Sequence, residues 1–183
     1  MALTKLNSLS MPTGSVLQTV VQQEDGVTSF TASGTNDVIM LASNAGDSTS
    51  HLSLNITPKS ANSKILLTAC VFHEVNTTVN YETLWSFYRD STKLAAPISG
   101  NLRSGIGQTA MGFYSADASS TADVVNYHYY DSPNTTSAIT YAVSFNNNTS
   151  NTVLYLNRTV AESANTGAHE RGISILIAQE IGG

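Results

Sequence analysis

Charge is scarce in this chain of 183 residues: Asp, Glu, Lys and Arg together make up 11%, less than half of the roughly 25% usual in soluble domains. Basic residues are the scarcest, 8 Lys and Arg against 13 Asp and Glu, for a formal net charge of -5. The eight are scattered, so no basic patch neutralises a run of phosphates, and nucleic acid is excluded as a partner. One cysteine, Cys70, cannot form an intrachain disulfide. It stands in an apolar run and reads as a small core residue. No stretch of about 18 apolar residues offers a membrane span, and the amino terminus has no continuous apolar segment of the signal-peptide kind. Membrane insertion is not expected, and synthesis in a cytoplasm is.

Catalytic signatures are missing as well. His51, His73, His128 and His169 lie far apart in sequence, with none of the paired spacings of a zinc site. There is no Gly-x-Ser-x-Gly elbow, and Cys70 lacks the electropositive, exposed setting that a nucleophile requires. The glycines Gly100, Gly105, Gly107 and Gly112 are followed by no lysine and hydroxyl pair, so they form no phosphate loop. No Asp-x-Asp-x-Asp-Gly calcium loop is present, and the Glu24-Asp25 pair sits in a turn where its charge reads as solvated. The expectation is a protein that is not an enzyme, with no catalytic residues, no cofactor and no metal.

What fills the space is Ser, Thr and Asn, about a third of the chain. Their short side chains hydrogen-bond to nearby backbone and support turns. Between the turns, apolar residues alternate. In the stretch His51 to Phe72, Leu52, Leu54 and Ile56 alternate with Ser53, Asn55 and Thr57, which predicts a strand with one face in the core and one in water. A Pro58 to Ser63 turn follows. The run Ile65 to Phe72 is apolar on both faces, as a central strand should be.

Further strands are predicted at Val16 to Val21 and Val27 to Thr31, joined by a hairpin turn at Asp25-Gly26. Others fall at Val38 to Leu41, Leu84 to Arg89, Gln108 to Tyr114, Asp123 to Asp131 and Ile139 to Phe145. Val153 to Asn157 pairs back on Ile139 to Phe145 as a hairpin, and Ile173 to Ile177 closes the chain. Leu94 to Ile98 reads as a short edge element, because Pro97 removes a ladder donor. Ser43 to Ser50 and Arg158 to Arg171 read as loops. About ten strands and no convincing helix predict an all-β fold, an antiparallel two-sheet sandwich or jelly roll. We divide the chain into a leader, residues 1-14, and a β-sandwich domain, residues 15-183. Leu3, Leu6, Leu9 and Met11 give the leader four apolar side chains on a polar background, the pattern of a docking arm.

Aromatic residues are the remaining candidates for recognition. Trp85 is the single tryptophan, and the core reading of it outweighs a sugar-stacking platform. In Tyr127-His128-Tyr129-Tyr130, alternation puts Tyr127 and Tyr129 on one face and His128 and Tyr130 on the other. One pair packs inward, and the other is exposed or sits at a subunit contact. Trp85, Tyr127, Tyr129 and Tyr130 are therefore the candidate interface or receptor aromatics.

Several pieces taken in order carry a resemblance. They are Gly14-Ser15-Val16-Leu17-Gln18, Leu52 to Pro58 with Ser63-Lys64-Ile65-Leu66, and Tyr130-Asp131-Ser132-Pro133-Asn134-Thr135-Thr136-Ser137, then Tyr141, Val153 to Arg158 and Arg171-Gly172-Ile173-Ser174. Together they resemble a small β-domain of bacteriophage tail-fibre and related virion structural proteins, especially versions in phages of cyanobacteria. The resemblance implies a non-enzymatic virion component, assembled in the host cytoplasm. It also implies a homotrimer that touches other tail, baseplate or capsid proteins and meets a glycan or protein of the host surface. The matching positions are turn and core residues, which carry fold and no receptor site. Long fibres have an attachment domain and shaft before such a tip, whereas only about a dozen residues precede it here. The expectation is a short tail-fibre or receptor-contacting module docked by its leader, with a head decoration protein as the alternative and a polysaccharide-degrading enzyme behind both. The loops Glu74 to Asn80, Ser115 to Thr121 and Asn146 to Asn151 are expected to face outward.

Overall fold

The computed structural model describes residues 11-32, 34-46, 51-76, 80-97, 102-109, 119-162, 167 and 169-183. Twelve strands run through them: β1 (Val16–Glu24), β2 (Thr28–Thr31), β3 (Val38–Ile39), β4 (Ser53–Ile56), β5 (Lys64–Val75), β6 (Leu84–Arg89), β7 (Thr92–Leu94), β8 (Gly107–Gln108), β9 (Asp123–Asp131), β10 (Ile139–Asn146), β11 (Val153–Leu156) and β12 (Ser174–Ile181). One helical turn, α1 (Ala42–Ala45), opens the segment expected to be a polar loop, and a 3-10 turn spans Asn80–Glu82.

All strand pairings are antiparallel and fall into two sheets. In the first, β1, β12, β5, β11 and β2 follow one another, and β9 pairs with β5. Thr68 of β5 faces both Ile177 of β12 and His128 of β9, so those two strands flank β5 on opposite sides. In the second sheet β3, β10, β6 and β7 follow one another, with β4 also on β10 and β8 also on β6. The sheets stack as the sandwich the alternation predicted.

Period-two parity explains the core. Ile65, Leu67, Ala69 and Val71 of β5 point between the sheets and are buried, beside Leu176 and Ala178 of β12 and Leu154 and Leu156 of β11. From the second sheet come Leu54, Ile56, Trp85, Phe87, Ile139, Tyr141, Val143 and Phe145. Rings meet in the middle, with the Phe87 and Tyr127 centroids 4.6 Å apart and those of Trp85 and Phe145 5.9 Å apart. Burial of large rings is the main favourable term in such a core.

Parity also overturns one expectation. Cys70 shares its side of β5 with Leu66, Thr68 and Phe72, away from the core, and is half-buried on the outward face. Partial burial is still enough to push its thiol pKa up.

Two expected hairpins are absent because partners were found elsewhere. β1 pairs with β12 and β2 with β11, so Asp25-Gly26 joins strands that are not neighbours. The Asn157 side chain ties this turn down, its amide donating to the carbonyls of Glu24 and Gly26, each at 2.8 Å. Likewise β10 lies in the second sheet and β11 in the first. The connection between them crosses the sandwich, with Asn151 in the left-handed region at φ 63°. Where an edge element is expected at Leu94 to Ile98, the strand found is β7, which returns from β6 through the two-residue turn Asp90-Ser91 and ends at Leu94, so the two share only that residue, and Ile98 lies outside the described residues. Of the strand expected at Gln108 to Tyr114 only its start is described, as β8; residues 110-118 lie outside the described residues. Within the expected Arg158 to Arg171 loop, Arg158 and Arg171 form a bridge with each other.

Candidate docking site

At one end of the first sheet, the start of β1 meets the end of β12, with Val16 facing Ile181. Beyond that pair the backbone continues to zip: Gly14 N donates to Gly182 O at 2.7 Å, and Gly182 N to Ser15 O at 2.9 Å. Gly14 sits at φ +87°, a left-handed conformation that a side chain would strain. The turn between β4 and β5 closes over the same end. Its backbone is held by Glu180, a fully buried carboxylate that accepts from Lys59 N at 2.7 Å and from Gln18 Nε2 at 2.6 Å. The Lys59 ammonium donates to Leu17 O at 2.8 Å.

These segments border a partly open pocket of about 180 Å³ lined by Met11, Thr13, Leu17, Ser60, Ser63, Gly182 and Gly183. The Ser63 hydroxyl on its wall is buried and has no hydrogen-bond partner. A buried hydroxyl left unpaired carries a desolvation cost, which a docked group that donates or accepts there would remove. Of the four leader residues singled out in the sequence, Met11 lines this cavity and is partly exposed. Leu3, Leu6 and Leu9 lie outside the described residues.

The opposite end of β5 gathers the loops. β5 ends at Val75, where Asn76 N donates to Val153 O at 3.0 Å and Val153 N to the Asn76 side chain at 2.7 Å. Thr121 N donates to the Glu74 carboxylate at 3.0 Å and Val160 N to its other oxygen at 2.7 Å, so Glu74 ties two loops to the sheet. Asn147 is buried and accepts from Thr149 N at 2.9 Å. Asn76, Asn148 and Asn151 remain exposed there. Since β5 is 12 residues long, the loop end lies about 36 Å from the cavity end, at about 3.3 Å per residue.

The candidate aromatics do not form one surface. Trp85 is 0% exposed and Tyr127 4%, so neither presents a ring outward. Trp85 Nε1 donates to Thr109 Oγ1 at 3.0 Å, and the Tyr127 hydroxyl to Ser86 O at 3.2 Å. Tyr129 packs half-buried against the core, while Tyr130 stands outward.

Buried polar clusters were the features least visible in the sequence. Glu24, expected to be solvated, is buried, 3.2 Å from His51 Nδ1, and accepts from Gly26 N at 2.8 Å. Asp131 accepts from the Tyr141 hydroxyl at 2.6 Å and from Arg89 at 2.9 Å. Burial and this carboxylate hold the Tyr141 phenol far above its ordinary pKa, which keeps it a donor. Asp37 gathers Lys93 Nζ at 2.8 Å, the Tyr88 hydroxyl at 2.9 Å and Asn146 Nδ2 at 2.7 Å. Burial and that carboxylate push Tyr88 up to about 12. Among the described residues no three His, Cys, Asp or Glu side chains meet as a metal-ligand group.

No protein-family model matches this chain, and neither does any curated protein. Among solved structures, the infectious bursal disease virus VP2 subviral particle overlaps it at 13% identity and a TM-score of 0.36, over 92% of this chain and 39% of that one. The chain thus spans well under half the length of that viral protein. The overlap is too loose to carry a shared role. The architecture is an antiparallel β-sandwich.

Proposed function

We propose that this chain is a non-enzymatic virion structural protein, a short tail-fibre or receptor-contacting module of a bacteriophage. The observation that carries the reading is the polarity of the sandwich. Residues 11-15 and the cavity lie at one end of β5, and the asparagine-bearing loops lie about 36 Å away at the other. A module that holds a particle with one end and meets a cell with the other needs that separation. The resemblance over Gly14 to Ser174 supports the same reading, as does the low surface charge, which suits contact by shape and neutral hydrogen bonds. In this reading Leu3, Leu6, Leu9 and Met11 dock into another virion protein. Copies associate as a homotrimer, and the exposed asparagines at the loop end touch a host glycan or protein.

The experiment is to label purified particles with antibody against this chain and to measure adsorption of the isolated protein to host cells. Label on the tail, adsorption, and blocking of infection by antibody are the expected results. Replacing Leu3, Leu6 and Leu9 with Ser should leave the fold intact and remove the protein from particles. Label spread over the head, with no adsorption, would replace the tail reading with a capsid decoration protein. Release of oligosaccharide from host envelope would overturn the non-enzymatic reading.

A further inference from the structure

The outward face of the first sheet is unlike the outward side of the second. Pairing register places four rows of side chains on it: Phe72 with Val124; Gln23, Ile175, Cys70 and Asn126; Val21, Ile177, Thr68 and His128; and Thr19, Gln179, Leu66 and Tyr130. Val21 is 51% exposed, Val124 45%, Tyr130 57% and the adjoining Ile173 55%. Ile175, Ile177, Leu66 and Phe72 are only half-buried. Over the second sheet the corresponding side chains are Ser86, Tyr88, Ala142 and Ser144, where Ser86 and Ser144 hydrogen-bond to each other and are buried.

We infer that this outward face is where a second copy of the chain packs. Three observations select that occupant. First, the face is nearly free of charge on an acidic protein. From Lys64 to Phe72 it bears Lys64 and His128, whereas Glu24, Asp131 and Glu180 are turned inward and buried; of the other carboxylates of these strands, Glu74 follows on the same side of β5 beyond Phe72 but is buried, and Asp123 is half-buried on the inward side. Two copies with a net charge of -5 each repel least when they meet across such a surface. Second, the rows suit sheet-on-sheet packing, with Val21, Leu66, Phe72, Val124, Tyr130, Ile175 and Ile177 at period two among the uncharged polar side chains of Thr19, Gln23, Asn126 and Gln179. Its cross-strand polar pairs are already hydrogen-bonded, Thr68 with His128 at 3.0 Å and Gln179 with Thr19 at 3.4 Å.

Third, the size fits. Four strands at about 4.8 Å spacing and rows over about 27 Å of β5 give a footprint on the order of 500 Å², and the corrugated accessible area is larger. Stable, specific interfaces start near 600 Å² per partner. The largest apolar patch on a soluble monomer is commonly about 300-600 Å² and is often functional. At the rim Gly172 packs against the Phe72 ring, where a Cβ would lie 2.2 Å from it.

This deepens the virion reading, on which it rests only for the expectation that copies associate, and its test needs no particle. The full chain should sediment as an oligomer at tens of micromolar. Placing a charge in the face, Ile177→Asp, should weaken association by at least about 100-fold, because an unpaired buried carboxylate costs several kcal/mol. Tyr130→Asp should act in the same direction at a position already exposed, with circular dichroism and Trp85 fluorescence unchanged, and it keeps the test valid if Ile177→Asp fails to fold. Cys70 lies within the face, so its alkylation should be slower in the wild-type oligomer than in the monomeric variant. A wild-type chain that stays monomeric at about 100 μM overturns the inference. So does an oligomer whose mass and Cys70 reactivity ignore both substitutions. Self-association that fails while labelling still finds the chain on particles would remove this inference alone.

Discussion

The least replaceable single side chains are those that close the buried polar clusters. Trp85 Nε1–H donates to Thr109 Oγ1, Thr109 donates to His73 Nε2 at 3.1 Å, and His73 Nδ1–H donates to Val71 O at 3.1 Å. Every group in this chain is paired, and His73 is neutral with its proton on Nδ1. Thr109→Val preserves shape but strands the indole donor and the imidazole acceptor. It should cost about 1-3 kcal/mol, read from urea unfolding followed by Trp85 fluorescence. The same cluster sets a pH dependence. Burial holds the His73 pKa below its ordinary 6.5, so as pH falls through 6.5 the unfolded chain takes up a proton that the folded chain refuses. This contribution is full above that pH and is lost progressively below it, until the folded imidazole titrates. Stability measured across that window should fall with acid, and the slope should be shallower in His73→Gln, which has no proton to take up.

Among elements, β9 and β10 show what fixes one sheet on the other beyond apolar contact. Asp131 in the first sheet receives Tyr141 and Arg89 from the second. Tyr141→Phe removes a short bond to a carboxylate that keeps Arg89, so about 1.5-3 kcal/mol should be lost. A larger loss would mean that Arg89 does not hold Asp131 by itself. The strand β5 was the element most legible in the sequence, because an apolar run bounded by turns predicts a central strand. Its two faces were legible as apolar but not as different. Ile65 to Val71 and Leu66 to Phe72 read alike, and only the position of the second sheet makes one set core and the other surface. That is why Cys70 reads as core from composition and lies on the outward face in the fold.

For the whole molecule, the first strand pairs with one of the last: β1 lies on β12, and β2 on β11. Such nonlocal pairing demands loop closure before its contacts form, which slows folding. Refolding followed by Trp85 fluorescence should therefore take milliseconds to seconds, and a microsecond phase that recovered the full signal would contradict this topology. Both ends of the leader-side cavity depend on the same closure. Met11 to Ser15 approaches Ser60 to Ser63 and Gly182 only when β1 and β12 are paired.

Alternation of Leu, Ile and Val with Ser, Thr and Asn, punctuated by Pro, Gly and Asn, was sufficient to specify an all-β sandwich, most strand positions and the split of the Tyr127 to Tyr130 run into two faces. Those are local properties, fixed by the two-residue period of a strand and the φ preferences of turn residues. The choice of partner strand is not local. Asp25-Gly26 has the chemistry of a hairpin turn, yet the strands on either side of it pair with β12 and β11, more than a hundred residues away. Tertiary structure likewise decided that Glu24 and Glu180 are buried, that Tyr127 is core, and that Tyr130 and Cys70 share an outward surface. Each outcome depends on which sheet covers which face, and residues distant in sequence settle that together.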